Sequence, residues 1–281
     1  MTNVMWFDEI KKEDLPDVGG KGANLGEMYQ HFPVPNGFCV TVKAYKEFIT
    51  PIAPKIHEMI GKIDMEDTAQ LEKTAKKVRD NILKKPFPED LKQEIAGHYK
   101  GGKVAVRSSA TAEDLLGASF AGQHDTFLNI KGEKELAQAI HKCWASLFTG
   151  RAIYYREKHG FKHEDVHISV VVQDMVDAKH AGVMFTVDPV NKKHILIEVV
   201  KGLGEKLVSG QVTPNTYFLN RENCEVEQEN IEFEFDSARL PEIAEMGKNI
   251  ERHFGNPQDI EFAIDKEGKI LILQARPITT L

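Results

Sequence analysis

The second half of this chain consists largely of short β-branched and aromatic segments that have the length of β-strands. Helical spacing of apolar residues is instead concentrated in the first half, at residues 22–32, 67–83 and 133–148, with a last helix expected at 239–254. These patterns predict an α/β (α+β) fold with subdomains of about 1–165 and 166–281, although no linker-like composition marks the boundary. The strand candidates lie at residues 38–41, 103–107, 125–130, 167–176, 181–187, 194–200, 215–220, 259–265 and 269–276.

Composition limits the class of protein. With 281 residues, 41% hydrophobic and 28% charged, the chain has the make-up of a globular enzyme with a substantial core. A net charge of −7 argues against a dedicated nucleic-acid binder, and no apolar run reaches the roughly 20 residues that a membrane helix needs. The 3 cysteines form no C-x-x-C motif, which is typical of reduced thiols. We therefore expect a cytoplasmic protein that binds neither nucleic acid nor membrane.

A glycine-rich stretch at residues 18–28, V-G-G-K-G-A-N-L-G-E-M, places Lys21 among glycines just before a predicted helix. Backbone N–H groups at a helix start, together with an ammonium group, can bind phosphate. The stretch is not a Walker A loop, because Leu15 stands where that motif needs glycine and Gly22 where it needs serine or threonine. Taken alone, it is explained more simply as a glycine-rich turn with a solvated lysine.

A strand that ends in Arg107 leads into a long loop of small residues at 108–125. Small side chains let backbone amides approach an anion, and glycine permits the movement of a flap over phosphates. An ordinary surface loop is the alternative, but a structureless loop of this length usually has a functional reason. The strand at 170–176, V-V-V-Q-D-M-V, places Gln173 where an amide could contact adenine, although a core strand ending in an amide is at least as simple.

The chain closes with a predicted hairpin that carries two polar pairs, Asp259 with Glu261 and Gln274 with Arg276. A two-residue turn would place Asp259 opposite Gln274 and all four polar residues on one face, whereas a three-residue turn would place the pairs on opposite faces. In the first case Phe262, Ile264, Leu271 and Leu273 would pack on the other face. Carboxylate and amide oxygens suit Mg²⁺, but a hairpin with a surface salt bridge is an equally good interpretation.

Three histidines, His159, His163 and His167, follow one another at the spacing of metal ligands on a helix. Gly160 and the strand propensity that begins at His167 interrupt the helix that such a site would need. We therefore do not expect a zinc site here.

Taken in order, these stretches resemble the N-terminal nucleotide-binding domain of the phosphoenolpyruvate synthase, pyruvate phosphate dikinase and rifampicin phosphotransferase family. The resemblance covers almost the whole chain and implies an ATP-grasp fold in which ATP is held between two subdomains. Each motif is weak alone, but the ordered series is specific. The matching motifs are G-G-K-G-A-N-L-G-E-M, V-R-S-S-A-T-A-E-D, A-S-F-A-G-Q-H-D-T-F, V-V-V-Q-D-M-V, A-G-V-M-F-T-V-D-P, G-L-G-E-K-L-V-S-G-Q-V-T-P, D-I-E-F-A-I and L-Q-A-R-P-I-T.

The resemblance implies a role for five residues in the first half of the chain and at its midpoint. Lys21 and Arg107 would contact the β- and γ-phosphates as catalytic residues. Gly122 and Thr126 would belong to the flap over the phosphates, and Gln173 would lie near adenine.

The resemblance implies a second set of residues in the second half. Glu205 would face the ribose, Glu261 and Gln274 would hold Mg²⁺, and Asp259 would support them. Arg276 would be a third catalytic residue that binds phosphate during transfer.

One position departs from the family pattern. Asn215 stands where G-x-V-T-P is often followed by an acidic residue, so the role of that position is in doubt. The small-residue segment with the phosphorylatable histidine is also absent, and His180 is a poor substitute because it leads into a predicted core strand.

The resemblance implies Mg²⁺-dependent transfer of a phosphoryl group from ATP to a histidine on a separate domain or chain, with AMP and phosphate as products. The chain would then be the first module of a dikinase, made separately or excised. An ATP-binding regulatory module without turnover is the alternative. A stand-alone ATP-grasp ligase ranks last, because nothing in the sequence marks a carboxylate-substrate site.

Overall fold

The computed structural model describes residues 2–111 and 126–279. The chain divides into two compact units, the first made of Met1–Gln30 with Asn36–Met175 and the second of His31–Pro35 with Val176–Leu281. Both units combine helices with an antiparallel sheet, which confirms the predicted α/β (α+β) class. The division follows Met175, so residues 166–175 belong to the first unit, whereas the sequence analysis expected the second subdomain to begin at 166.

The first unit contains a five-stranded sheet in the order β1-β2-β5-β3-β4. Strand β5 lies at its centre because its apolar residues, which run without alternation, are buried on both faces. Strand β3, next to β5, continues to Ala110, three residues beyond the end expected at Arg107. The five strands are β1 (Val4–Trp6), β2 (Gly37–Val40), β3 (Lys103–Ala110), β4 (Thr126–Lys131) and β5 (Ile168–Asp174).

Helices pack the first sheet on both sides. The expected helix at 67–83 is confirmed as α4, and its apolar stripe of Leu71, Ala75, Val78 and Ile82 is buried as the spacing predicts. Trp144 of α6 is fully buried and stacks with Phe87 at a centroid distance of 5.3 Å. The helices are α1 (Leu15–Tyr29), α2 (Val42–Ile49), α3 (Ala53–Ile60), α4 (Thr68–Lys84), α5 (Glu89–His98), α6 (Glu133–Ser146) and α7 (Gly150–Lys158).

Helix α1 is broken near its start. Gly19 has φ of 68° and ψ of 173°, outside the helical region, so a turn separates the first residues of α1 from the part that follows. The sequence analysis expected a helix only from residue 22 to residue 32. The structure instead has helix on both sides of the glycine turn and ends it at Tyr29.

The second unit contains a six-stranded sheet in the order β11-β10-β6-β7-β8-β9. Helix α9 covers one face, where a Cβ atom on Gly247 would lie only 2.3 Å from the Cε atom of Met184. Strand β9 consists of exposed residues and was not expected from the sequence. The elements are β6 (Ala178–Phe185), β7 (His194–Lys201), α8 (Glu205–Val208), β8 (Asn215–Asn220), β9 (Val226–Asn230), α9 (Leu240–Phe254), β10 (Gln258–Asp265) and β11 (Ile270–Pro277).

Asn215 has a structural role in the second unit. Its fully buried amide donates to the Phe233 carbonyl at 2.9 Å and accepts from the backbone N–H groups of Glu232 and Phe233 at 2.7 and 3.0 Å. An aspartate could accept both N–H bonds but has no N–H to give to the carbonyl. The amide therefore ties the segment after β9 to β8.

As expected, the three histidines of the series do not lie on one helix. Helix α7 ends at Lys158, and His163 Nδ1 instead accepts a hydrogen bond of 2.8 Å from the buried Arg156 Nε. Within the residues that the structure describes, none of the helices has the length and apolar character to cross a bilayer.

Candidate functional site

The glycine turn before Lys21 is fixed to strand β3 of the first sheet. Ser109 Oγ donates to the Val18 carbonyl at 2.8 Å and accepts from the Gly22 N–H at 3.2 Å. A Cβ atom on Gly19 would lie 2.3 Å from the Ser109 carbonyl oxygen, so only glycine permits this approach. Lys21, which is half-buried, therefore stands on a turn whose position is set by β3.

Arg107 lies on the same face of the first sheet as that turn. It is two residues before Ser109 on β3, and alternate residues of a strand point to the same face. Arg107 is only 8% exposed and lies between Val171 of β5 and Thr126 of β4, its direct cross-strand partners. Thr126 is exposed and shares this face, while Gly122 lies outside the described residues.

Gln173 completes the set on this face, because it follows Val171 by two residues on β5. Its side chain is 3% exposed, and its Nε2 group has no hydrogen-bond acceptor among the described residues. A buried donor without an acceptor costs about 1–3 kcal/mol. A ligand with a ring-nitrogen acceptor, such as adenine, would satisfy it.

The closing hairpin has a three-residue turn, not the two-residue turn on which the one-face arrangement depended. Gly268 has φ of +87°, and the strands pair Ile264 with Ile270 and Phe262 with Ile272 next to the turn. Between Glu261 and Phe262 the register then shifts by one residue. This β-bulge leaves one extra residue, Leu273, on β11.

The bulge reverses the consequence of the turn. Beyond it, Glu261 pairs with Gln274 and Asp259 with Arg276, so all four polar residues lie on one face after all. The expected partners, Asp259 opposite Gln274 and Glu261 opposite Ile272, are wrong: each actual partner lies two residues further along β11. A turn of three residues without the bulge would have placed the two pairs on opposite faces.

The apolar side of the hairpin differs from expectation for the same reason. Phe262 and Ile264 are buried as expected, but their buried partners on β11 are Ile272 and Ile270. Leu271 and Leu273, which were expected in that layer, are only half-buried. The register on the turn side of the bulge decides which β11 residues enter the core.

Asp259 and Arg276 form an ion pair across the two strands. Asp259 Oδ2 lies 2.7 Å from Arg276 Nη2 and 2.8 Å from Nε. Burial raises the pKa of Asp259, and the Arg276 guanidinium offsets part of that rise. The Arg276 side chain is still 46% exposed, so the ion pair orients the guanidinium and leaves it accessible to a ligand.

The neighbouring pair, Glu261 with Gln274, has the donors of a hard-cation site. Carboxylate and amide oxygens are the ligands that Mg²⁺ takes from proteins, and cross-strand partners bring them close together. Asp259 is engaged by Arg276 and suits a supporting role better than that of a ligand. The residues present therefore fit Mg²⁺.

The sequence analysis missed one carboxylate that continues this row across the sheet. Glu261 pairs with Val183 of β6, and Val183 pairs with Glu198 of β7, so the two glutamates share a face. Glu198 is half-buried, its pKa is raised by burial, and it has no hydrogen-bond or ion-pair partner among residues 2–111 and 126–279. The signal was a single acidic residue within the apolar strand I-L-I-E-V-V.

Glu205 is not part of this row. It is the first residue of the four-residue helix α8 and is exposed. The strand register that brings Glu261, Gln274 and Glu198 together does not include it.

Comparison with known proteins identifies relatives over nearly the whole chain. A family model described as the pyruvate phosphate dikinase AMP/ATP-binding domain matches residues 15–234 and 222–281. A probable phosphoenolpyruvate synthase of Methanothermobacter thermautotrophicus is 45% identical over 99% of this chain and 46% of its own length. A rifampicin phosphotransferase of Bacillus subtilis is 38% identical over 99% of this chain and 36% of its own length. The chain thus spans less than half the length of these curated relatives.

A solved structure of D-alanyl-alanine synthetase A from Vibrio cholerae also matches, with a TM-score of 0.34 and 14% identity over 73% of this chain and 54% of that one. At this level the likeness carries no functional argument. The family match and the two relatives confirm the resemblance drawn from the ordered motifs.

Proposed function

Because this chain belongs to the pyruvate phosphate dikinase AMP/ATP-binding domain family, we propose that it is the ATP-binding module of a dikinase-type phosphotransferase with an ATP-grasp fold. It binds ATP with Mg²⁺ and transfers a phosphoryl group to a histidine on a separate domain or chain, and one water molecule is consumed, so that AMP and phosphate are the other products. His180 is a poor acceptor, because it lies within β6 and stacks on Phe233 at 6.1 Å. We therefore do not propose His180 as the acceptor.

The observation that carries this proposal is the bulged hairpin. The bulge shifts the register by one residue. As a result Glu261 and Gln274, the proposed cation ligands, lie next to the oriented guanidinium of Arg276. Phosphoryl transfer needs positioning and charge neutralisation more than covalent chemistry from the protein. The hairpin supplies both, because a divalent cation held here would neutralise phosphate oxygens beside a guanidinium fork.

The first unit supports the proposal with a set of its own. Lys21 stands on a glycine turn that Ser109 fixes to β3, and Arg107 lies on the same face of the sheet as that turn. Gln173 offers its unsatisfied buried amide to adenine. In this proposal Thr126 and Gly122 contact the phosphates, and Glu205 faces the ribose.

Nucleotide binding is tested by thermal and chemical unfolding with ATP–Mg²⁺, ATP with a chelator, and GTP–Mg²⁺. ATP–Mg²⁺ should stabilise the chain by about 2.7 kcal/mol at a hundredfold excess over its dissociation constant. Glu261→Gln and Gln274→Ala should weaken the Mg²⁺-dependent part of the stabilisation. Glu267→Gln, a change at an exposed residue in the turn of the same hairpin, should not. Equal binding by the parent and the two site variants would show that the metal assignment is wrong.

Turnover is tested by incubating the chain with ATP–Mg²⁺, with and without a histidine-bearing domain of a relative. AMP formed only in the presence of that domain supports transfer to a separate histidine. ATP binding without AMP in either sample would favour the regulatory module without turnover.

A further inference from the structure

The first unit contains a cavity that the proposed function does not use. Its volume is about 330 Å³, within the lower range of small-ligand sites. Val172 and Asp174 of β5 line it on the face opposite Gln173, whereas Gly37, which also lines it, pairs with Gln173, so the cavity reaches both faces at this end of the first sheet. None of the residues that line it is among the nucleotide-binding residues proposed for this unit.

Aromatic side chains form the body of the cavity. Trp6 and Phe38 meet edge to face at a centroid distance of 5.7 Å, and His98 lies 5.1 Å from Trp6. The other aromatic residues of the lining are Phe7, Tyr29 and Tyr99. Phe7 and Phe38 are buried, whereas Trp6 and Tyr99 are half-buried and accessible from the opening. Such a wall binds flat or aliphatic groups, and the faces of its rings attract cations.

The charged groups at the opening are two carboxylates, Asp8 and Asp174, and one ammonium group, Lys100. Both carboxylates are exposed, and neither has a hydrogen-bond or ion-pair partner through its side chain among the residues described. Lys100 Nζ lies 5.4 Å from the centre of the Trp6 ring, so a cation already occupies one position on this aromatic wall. One negative charge is left to be balanced.

We propose that this cavity binds a small organic cation of amino-acid size whose guanidinium group pairs with Asp8 and Asp174 against the Trp6 wall. A planar guanidinium can bind carboxylates through its N–H fork while its face stacks on an aromatic ring. A carboxylate elsewhere on the ligand would be near Lys100. The site is independent of nucleotide binding.

Arginine and citrulline are the matched probes, because citrulline has a neutral urea group where arginine has its charged guanidinium. Calorimetry gives both affinities, and intrinsic fluorescence reports the location: of the two tryptophans, Trp6 lines the cavity and Trp144 is fully buried in the core. We expect arginine to bind about tenfold more tightly than citrulline, a difference of about 1.4 kcal/mol, and to change the Trp6 emission.

Asp8→Asn and Asp174→Asn should each weaken arginine binding, while Asp165→Asn, an exposed aspartate of the same unit outside the cavity, should not. Circular dichroism and melting temperature show that each variant is folded. Binding of ATP–Mg²⁺ by Asp8→Asn should equal that of the parent, which separates failure of this site from failure of the proposed function. The proposal is overturned if arginine does not bind, if citrulline binds equally well, or if neither aspartate variant affects affinity.

Discussion

The two arginines proposed to act on phosphate are held in different ways. Arg107 lies within the first sheet, 8% exposed, with strands on both sides of β3. Arg276 lies on β11, at the edge of the second sheet, where its side chain is 46% exposed and is oriented by Asp259. The first guanidinium is positioned by burial and the second by an ion pair.

Because of this difference, the two arginines should contribute unequally to the stability of the fold even if both act on phosphate. A buried arginine contributes to packing through its aliphatic stem and to polar satisfaction through its donors, so replacing it disturbs the fold as well as the ligand site. An exposed arginine contributes little to the fold, because exposed ion pairs stabilise weakly. The two positions should therefore respond differently to the same substitution.

The largest effect is expected for Arg107→Lys and Arg276→Lys on the rate of phosphoryl transfer. Lysine keeps the charge but loses the planar fork, so interactions that strengthen in the transition state are lost. We expect each variant to slow single-turnover AMP formation by about a hundredfold, or about 2.7 kcal/mol, with a much smaller loss of ATP affinity. The measurement uses a histidine-bearing domain as acceptor.

Melting temperatures of the same variants test the comparison itself. Arg107→Lys should lower the melting temperature and Arg276→Lys should leave it almost unchanged. Unchanged transfer rates in both variants would show that neither arginine acts on the transferring group. Equal losses of melting temperature would show that burial does not distinguish the two positions.

The next largest effect concerns the glycine turn that carries Lys21. Gly19→Ala combines positive φ with a Cβ atom 2.3 Å from the Ser109 carbonyl oxygen. Gly101→Ala is the matched control, since its φ is +86° but nothing lies within 4 Å of its Cβ position. The positive φ should lower the free energy of unfolding of both variants by about 1–2 kcal/mol. The clash with Ser109 should lower that of Gly19→Ala by at least about 2 kcal/mol more. Urea unfolding measures both, and similar losses would show that the turn can move away from β3.

Local patterns predicted much of this molecule. The stripe of Leu71, Ala75, Val78 and Ile82 repeats at helical spacing, so α4 could be predicted from the sequence alone. The residues of the candidate site were proposed from the ordered motifs, and the structure places Arg107, Gln173 and the turn that carries Lys21 on one face of the first sheet.

Features that depend on distant parts of the chain could not be predicted. The bulge at Leu273 depends on both the length of the turn and the pairing of the two strands. No residue near it indicates the shift of register in the sequence. Glu198 joins the row of Glu261 only through the register of three strands. Gly19 is visible in the sequence, but the need for glycine there comes from Ser109 on a strand far along the chain.

A smaller effect than that of the glycine turn is expected at Asp259, which orients Arg276. Burial raises the pKa of Asp259, so the folded state binds this proton more tightly than the unfolded state does. The contribution of this carboxyl to stability is therefore present below the ordinary aspartate pKa of about 3.9 and is lost as pH rises through the raised folded-state pKa. Asp259→Asn should remove this dependence and raise the unfolding free energy at neutral pH, yet slow phosphoryl transfer because Arg276 loses its partner. Chemical unfolding from about pH 4 to about pH 7, with Glu267→Gln as an exposed control, measures the first effect, and single-turnover AMP formation measures the second. A variant less stable than the parent at neutral pH would show that the ion pair stabilises the fold, and an unchanged transfer rate would show that Arg276 keeps its orientation without Asp259.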